Sequence, residues 1–206
     1  LVACVFSTTI SDYLQTVPAD CVIDAVSGIN VGTGKYLTLK GSVTTDPANY
    51  ITLKTSATNM RHIQSKGHVD LSYLRLLHTQ QKTTTQGGCI LAWQSGALKL
   101  FHVVLENCIS TNQGGGALAT WQITKVLLSY VTIKSAVSDG NGGALNINDC
   151  KDVDMSHVVI DSAHAKNGQG GGLYVKGTQS DVTITDSTFT SCSADGSNGF
   201  GGAIAV

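Results

Sequence analysis

From residue 69 onward, apolar positions fall into columns when the chain is folded back on itself at each Gly-Gly pair. The first glycines of those pairs stand at 87, 115, 142, 170 and 201, giving steps of 28, 27, 28 and 31. The segments Val69–Thr79, Leu98–Cys108, Val126–Ala136, Val153–Ala163 and Val182–Cys192 then align without gaps. One column reads Val69, Leu98, Val126, Val153, Val182, and a second reads Leu71, Leu100, Leu128, Met155, Ile184. A third reads Leu76, Leu105, Ile133, Ile160, Phe189. Residues between the columns change freely between polar and apolar. Alternation at period two predicts strands with one face turned inward, and helical spacing is not sustained over any of these segments. A fixed period of this length predicts a solenoid, in which each repeat buries its apolar face on its neighbours. About 28 residues hold roughly three short strands and their turns. The expected fold is therefore all-β: a right-handed parallel β-helix with three strands per coil.

The glycine pairs are expected at the corners, where positive φ or close backbone approach excludes a Cβ. A phosphate-binding loop is excluded, because neither the Lys-Ser/Thr of a P-loop nor a helix pattern follows the glycines. The first third reads differently. Ile10, Tyr13, Leu14 and Val17 fall at i, i+3, i+4 and i+7, which predicts a short helix over 9–17 that covers the first coil, with Pro18 at its end. From Asp20 to Gly67 the strand-like runs Cys21–Ile23, Tyr36–Leu39 and Tyr50–Leu53 alternate with Gly and Asp46-Pro47 turns. The organisation expected is one domain over 1–206, with a cap and irregular first coils in 1–68 and regular repeats in 69–206. Because the last repeat begins at Gly201 and stops at Val206, the chain reads as a fragment of a longer one.

The pairing of Gly201-Gly202-Ala203-Ile204 with Phe189-Thr190-Ser191-Cys192 resembles the repeats of polymorphic outer membrane proteins and related pectin-lyase-like surface proteins. Those carry a GGA[ILV] motif and an FxxN motif. The first motif matches at 115, 142 and 201 and loosely at 87 and 170. In the second, Cys108, Ala136, Ala163 and Cys192 stand where the family has Asn, and Phe189 keeps the aromatic. The resemblance covers about 69–206. It implies a β-helix at the cell surface or outside the cell, with adhesion as its work and glycans or cell-surface proteins as its partners.

Composition narrows the partners. Net charge is −1, charged residues are 13% of the chain, and Arg61 and Arg75 are its two arginines. That argues against nucleic acid or an anionic membrane as the main partner, since both need clustered basic residues. No stretch approaches the ~20 apolar residues of a membrane span, and no basic segment precedes the first apolar run to mark a signal peptide.

Candidate chemistry is sparse. The cysteines are 4, 21, 89, 108, 150 and 192. Cys108 and Cys192 share a column but stand three rungs apart, ~14 Å, beyond disulfide reach. They read as small buried thiols, and Cys4–Cys21 is the one pair considered for a disulfide. The absence of a CxxC argues against zinc. His102 and His157 share a column with Tyr73, Tyr130 and Asp186, which suggests a polar strand end rather than a site, and each reads as a histidine at a bent strand. Glu106, Lys134 and Asp161 share an outward column and read as a salt-bridge ladder. As a glycosidase pair, Glu106 and Asp161 would be ~10 Å apart with a lysine between them. Asp149, Asp152 and Asp154 form the one acidic cluster, placed in a turn and at the start of a strand. They are the candidate catalytic residues if the chain is a polysaccharide lyase or glycoside hydrolase. Asp139-Gly140-Asn141 and Asp195-Gly196-Ser197-Asn198 offer oxygen ligands for calcium but read as plain turns. The leading expectation is a non-enzymatic surface scaffold that presents its turns for binding, with no catalytic residue and no cofactor. The carbohydrate-active enzyme is the alternative.

Overall fold

Strands whose apolar positions repeat at a fixed step bury them best by pairing with their own equivalents one step on, and the computed structural model has this arrangement. It describes residues 2–4, 13–16, 21–23, 28–44, 46–55, 61–78, 85–94, 96–178, 180–196 and 200–206, the first three stretches as backbone. Val69 lies opposite Leu98, Leu98 opposite Val126, Val126 opposite Val153, and Val153 opposite Val182. Leu105, Ile133, Ile160 and Phe189 follow one another in the same way. The first three are fully buried, and Phe189, in the last full coil, packs against the core while half-buried. The fold is a parallel β-helix, with its described strands in sheets of twelve, four and seven.

The twelve-stranded sheet is bent along its length. Tyr73, His102, Tyr130, His157 and Asp186 have φ of 55, 52, 53, 54 and 48°. One left-handed residue turns the strand and lets both arms face inward. That conformation costs a non-glycine residue about 1–2 kcal/mol, and here neighbouring coils offset it. The rings of Tyr73, His102, Tyr130 and His157 stack in sequence with centroids 5.1, 4.7 and 4.6 Å apart. That spacing is the ~4.8 Å between paired strands, so flat rings fill the column. The histidines thus sit at the bend expected of them.

Each glycine of a pair has its own reason. The first is left-handed, with φ between 64 and 73° at Gly87, Gly115, Gly142, Gly170 and Gly201. The second allows close approach. A Cβ on Gly88, Gly116 or Gly143 would stand 2.6 Å from the backbone nitrogen of Ile109, Val137 or His164, each in the four-stranded sheet.

Three expectations are corrected. Over Tyr13–Thr16 the predicted helix is a strand, paired with Tyr36–Lys40; residues 9–12 and 17 lie outside the described set. A helix this short is marginal alone, whereas a strand gains an open partner. Cys108 is not a free thiol: it is disulfide-bonded to Cys89, with Cα atoms 5.4 Å apart. The bond crosses one coil instead of running along the axis. Cys150 and Cys192 are free, and the side chains of Cys4 and Cys21 lie outside the described set. Glu106, Lys134 and Asp161 do occupy successive rungs, but Glu106 pairs with Arg75 at 3.8 Å. No ion pair joins Lys134 to either carboxylate among the described residues. The coils before residue 69 join the regular ones through Tyr36–Lys40 and Ile51–Thr55, both paired with His68–His78.

Where the early coils meet the regular ones the core turns polar. His62 and His78 are buried with ring centroids 5.2 Å apart. Burial, then the neighbouring His78, holds His62 well below the ordinary imidazole range against the opposing pull of the Leu53 and Leu77 carbonyls.

Candidate functional site

Alternation along the seven-stranded sheet sorts each strand into an inward and an outward set. In Ile90–Trp93, Leu118–Trp121, Leu145–Asn148 and Leu173–Lys176 the first and third residues face the core. The outward positions make two columns by register. One is Leu91, Ala119, Asn146, Tyr174, and the other is Trp93, Trp121, Asn148, Lys176. All of these but the fully buried Ala119 floor a groove along the sheet. The turns that carry Gln86, Gln113, Gly114, Gly140 and Asn141 form its wall, and Asp149 lies at its rim.

The main section of the groove encloses about 480 Å³, and a smaller section of about 220 Å³ adjoins it. Gln86, Gln113 and Trp121 line both, so the two are continuous. The smaller section adds Leu91, Trp93 and Thr85. The main section falls within the roughly 300–1,000 Å³ usual for small-ligand sites, and the smaller one extends it along the sheet.

Glycine lets the wall close. A Cβ on Gly114 would lie 2.9 Å from Asn146 Cγ, so only glycine allows this turn to cover the Asn146 carboxamide. The Asn148 amide donates to Asn146 Oδ1 at 2.7 Å, which orients both. Asn141 Oδ1 accepts from the Gln169 backbone at 2.9 Å and ties two wall turns together. At the far end Arg61 is buried and donates to the Thr85 hydroxyl. Desolvation lowers its guanidinium to about 10, so it stays charged at neutral pH beneath the rim. Trp121 is 47% exposed, and Lys66 Nζ lies 5.4 Å over the Trp93 ring.

The structure separates the acidic cluster. Asp149 is left-handed (φ 49°) at the end of its strand and lines the groove. The chain then turns, and Asp152 and Asp154 emerge on the twelve-stranded sheet. There they hold Lys125 Nζ at 2.9 and 3.3 Å. Hydrogen bonds to Asp152 and then Asp154 raise the lysine above its ordinary range. The turn carboxylates considered for calcium are also engaged. Asp139 pairs with Lys166 at 3.6 Å and Asp195 with His164 at 2.7 Å; residues 197 and 198 lie outside the described set. Among the described residues lining the groove, Asp149 and Lys176 are the charged ones.

Trp93 and Trp121 were not among the candidates read from the sequence, although the signal was present. Each stands six residues past the first glycine of its pair, on the face opposite the buried isoleucine or leucine. No protein-family model matches the chain, and neither a curated protein nor a solved structure does.

Proposed function

We propose that the chain is a surface or extracellular binding scaffold, and that the groove on the seven-stranded sheet takes a glycan. The observation that carries this reading is the pair Trp93 and Trp121, side by side in register beside a floor and wall of carboxamides. Sugar rings present an apolar face and a girdle of hydroxyls. The exposed Trp121 indole, with the half-buried Trp93 beside it, suits the first, and Asn and Gln suit the second because each both donates and accepts. Coils spaced ~4.8 Å apart offer the same geometry repeatedly, as a linear polysaccharide would require. The Cys89–Cys108 bond supports a place outside the reducing cytosol. Kinship with polymorphic outer membrane proteins and adhesion to cell-surface glycans extend the same reading, on the strength of the repeat motifs.

The charges favour binding without turnover. Glycoside hydrolysis uses two carboxyl groups about 5–9.5 Å apart, and Asp149 is the one carboxylate lining the groove among the described residues. The competing reading, a polysaccharide lyase or glycoside hydrolase, draws on Asp149 standing near Tyr174 and Lys176 in that groove.

The experiment is a calorimetric titration with a panel of neutral and uronate-containing polysaccharides, alongside assays for reducing ends and unsaturated products. Trp121→Ala is expected to weaken binding at least ten-fold, or about 1.4 kcal/mol, with the fold intact. Product that accumulates and is abolished by Asp149→Asn would establish the enzyme instead. Binding unchanged in Trp121→Ala would remove the groove from the account.

A further inference from the structure

At the junction of the irregular and regular coils, four residues of ligand type meet in the core. His62, Cys89 and Cys108 are fully buried and His78 is nearly so. One ring nitrogen from each histidine and the Cys89 sulfur lie within 4.8 Å of one another, and Cys108 is bonded to Cys89. His62 and Cys89 are successive members of one inward column, with the His62 N–H donating to the Cys89 carbonyl at 2.9 Å. In later coils that column continues as Ala117 and Ala144, and the Cys108 column continues as Ala136 and Ala163. Small apolar residues therefore satisfy the packing, and the imidazoles and sulfurs call for another reason.

The His62 ring is already oriented as a ligand. Its Nε2 lies 3.0 Å from the Leu53 carbonyl, which fixes the proton there and leaves a lone pair on Nδ1. That Nδ1 is buried and makes no well-aligned hydrogen bond, although the Leu77 carbonyl also acts on the ring. A histidine held by a backbone carbonyl on one nitrogen and presenting the other inward is the usual arrangement at a metal.

We propose that this corner is a redox-gated site for a zinc-like divalent cation, held by His62, His78, Cys89 and Cys108 when the disulfide is reduced. A dithiol delivers two electrons and two protons to the disulfide and becomes a cyclic disulfide, leaving two cysteine thiols. On metal entry each thiol gives its proton to solvent, two sulfur–metal bonds form, and the ion sheds its waters. Tetrahedral zinc with Zn–S near 2.3 Å sets its two sulfurs about 3.8 Å apart. Cysteines with Cα atoms 5.4 Å apart reach that separation by side-chain rotation. Disulfide and metal are thus alternative clasps on one corner: the first under oxidising conditions, the second under reducing ones.

Cobalt(II) is the probe, because thiolate coordination gives it a charge-transfer absorption and tetrahedral geometry gives intense visible bands. The whole chain is reduced with a phosphine, freed of reductant under anaerobic conditions and titrated. One equivalent is expected to bind with both signatures and to be displaced by Zn²⁺, while the disulfide form shows neither. Cys108→Ala, which leaves Cys89 as a free thiol, is expected to keep binding with weaker charge transfer. Cys89→Ala is expected to bind at least a hundred-fold more weakly. If reduction melts the fold, one equivalent of Zn²⁺ must restore the far-ultraviolet spectrum. Absence of thiolate charge transfer in the folded reduced chain, unaltered affinity in Cys89→Ala, or failure of Zn²⁺ to restore a melted chain would each overturn the proposal.

Discussion

The two large sheets share one core but spend their outward side chains in opposite ways. On the twelve-stranded sheet, many neighbouring coils satisfy one another, although Lys134 has no ion pair among the described residues and Lys40, Asp70 and Lys99 line a shallow groove. Lys125 is held by Asp152 and Asp154, Arg75 by Glu106, and the rings of Tyr73, His102, Tyr130 and His157 stack at the coil spacing. On the seven-stranded sheet the corresponding column changes chemistry along its length, from Trp93 and Trp121 to Asn148 and Lys176. A ladder of like rings or opposite charges stabilises the solenoid and leaves little for a ligand. A column of unlike residues contributes less to the solenoid and leaves its polar groups and ring faces for something else. In a repeat protein, function is to be sought where the repeat stops repeating.

The comparison is broken most severely from the core that both sheets share. Ile133 is fully buried between Leu105 and Ile160. Ile133→Asp buries an unpaired charge and is expected to cost several kcal/mol. Denaturant melts should show loss of the whole fold; a variant that lost one face and kept the other would mean that the sheets do not share a core.

A smaller effect is expected at the disulfide, which belongs to neither outward face. It closes a separation of 19 residues, and the chain-entropy relation assigns such a loop about 3 kcal/mol. Cys89→Ala with Cys108→Ala reproduces the Ala117 and Ala136 of the next coil, so packing tolerates the pair. The free energy of unfolding is expected to fall by about that amount, with glycan binding retained.

Smaller still is Lys125→Ala. The ion pairs are exposed, and pairs of this kind contribute little. The melt midpoint should stay within experimental error, and so should binding in the groove; a loss of binding would tie the two faces together and contradict their division of labour. The smallest effect is a pH dependence. Desolvation lowers His102, which lies against Tyr73 and Tyr130 with Nδ1 3.0 Å from the Tyr50 hydroxyl. A depressed histidine favours the folded state above its unfolded pKa, near 6.5, and loses that contribution as pH falls toward its folded value. Ring-proton NMR should show His102 titrating below the free imidazole, and the decline in stability under pH ~6.5 combines its small share with that of the buried His62.

Much of the fold was legible because inward positions have only one task. Leu105, Ile133 and Ile160 keep their type since each must fill the same space, and the registers drawn from the sequence are the registers observed. The disulfide was missed because cysteines were compared along the axis. The partner of Cys89 lies across its own coil, at the separation that also relates Ala117 to Ala136 and Ala144 to Ala163. The strand at Tyr13–Thr16 was missed because four apolar residues spaced for a helix say nothing of the open edge at Tyr36–Lys40. At the candidate site, the tryptophans are visible at fixed distances from the glycines, whereas the wall is not. It depends on how closely the Gly114 turn approaches Asn146. The aspartates 149, 152 and 154 are near in sequence, yet one left-handed residue and a turn send them to different sheets.

The chain's two tryptophans, Trp93 and Trp121, both line the groove. Their indole N–H resonances therefore report on that face alone. Following them by proton–nitrogen NMR during titration with a bound polysaccharide is the most direct test of the central claim, that the seven-stranded face is the binding face and does no bond cleavage. The account predicts that both resonances shift together and saturate, with the polysaccharide intact afterwards. A ligand that binds while leaving both indoles unmoved, or one that is cleaved during the titration, would contradict it.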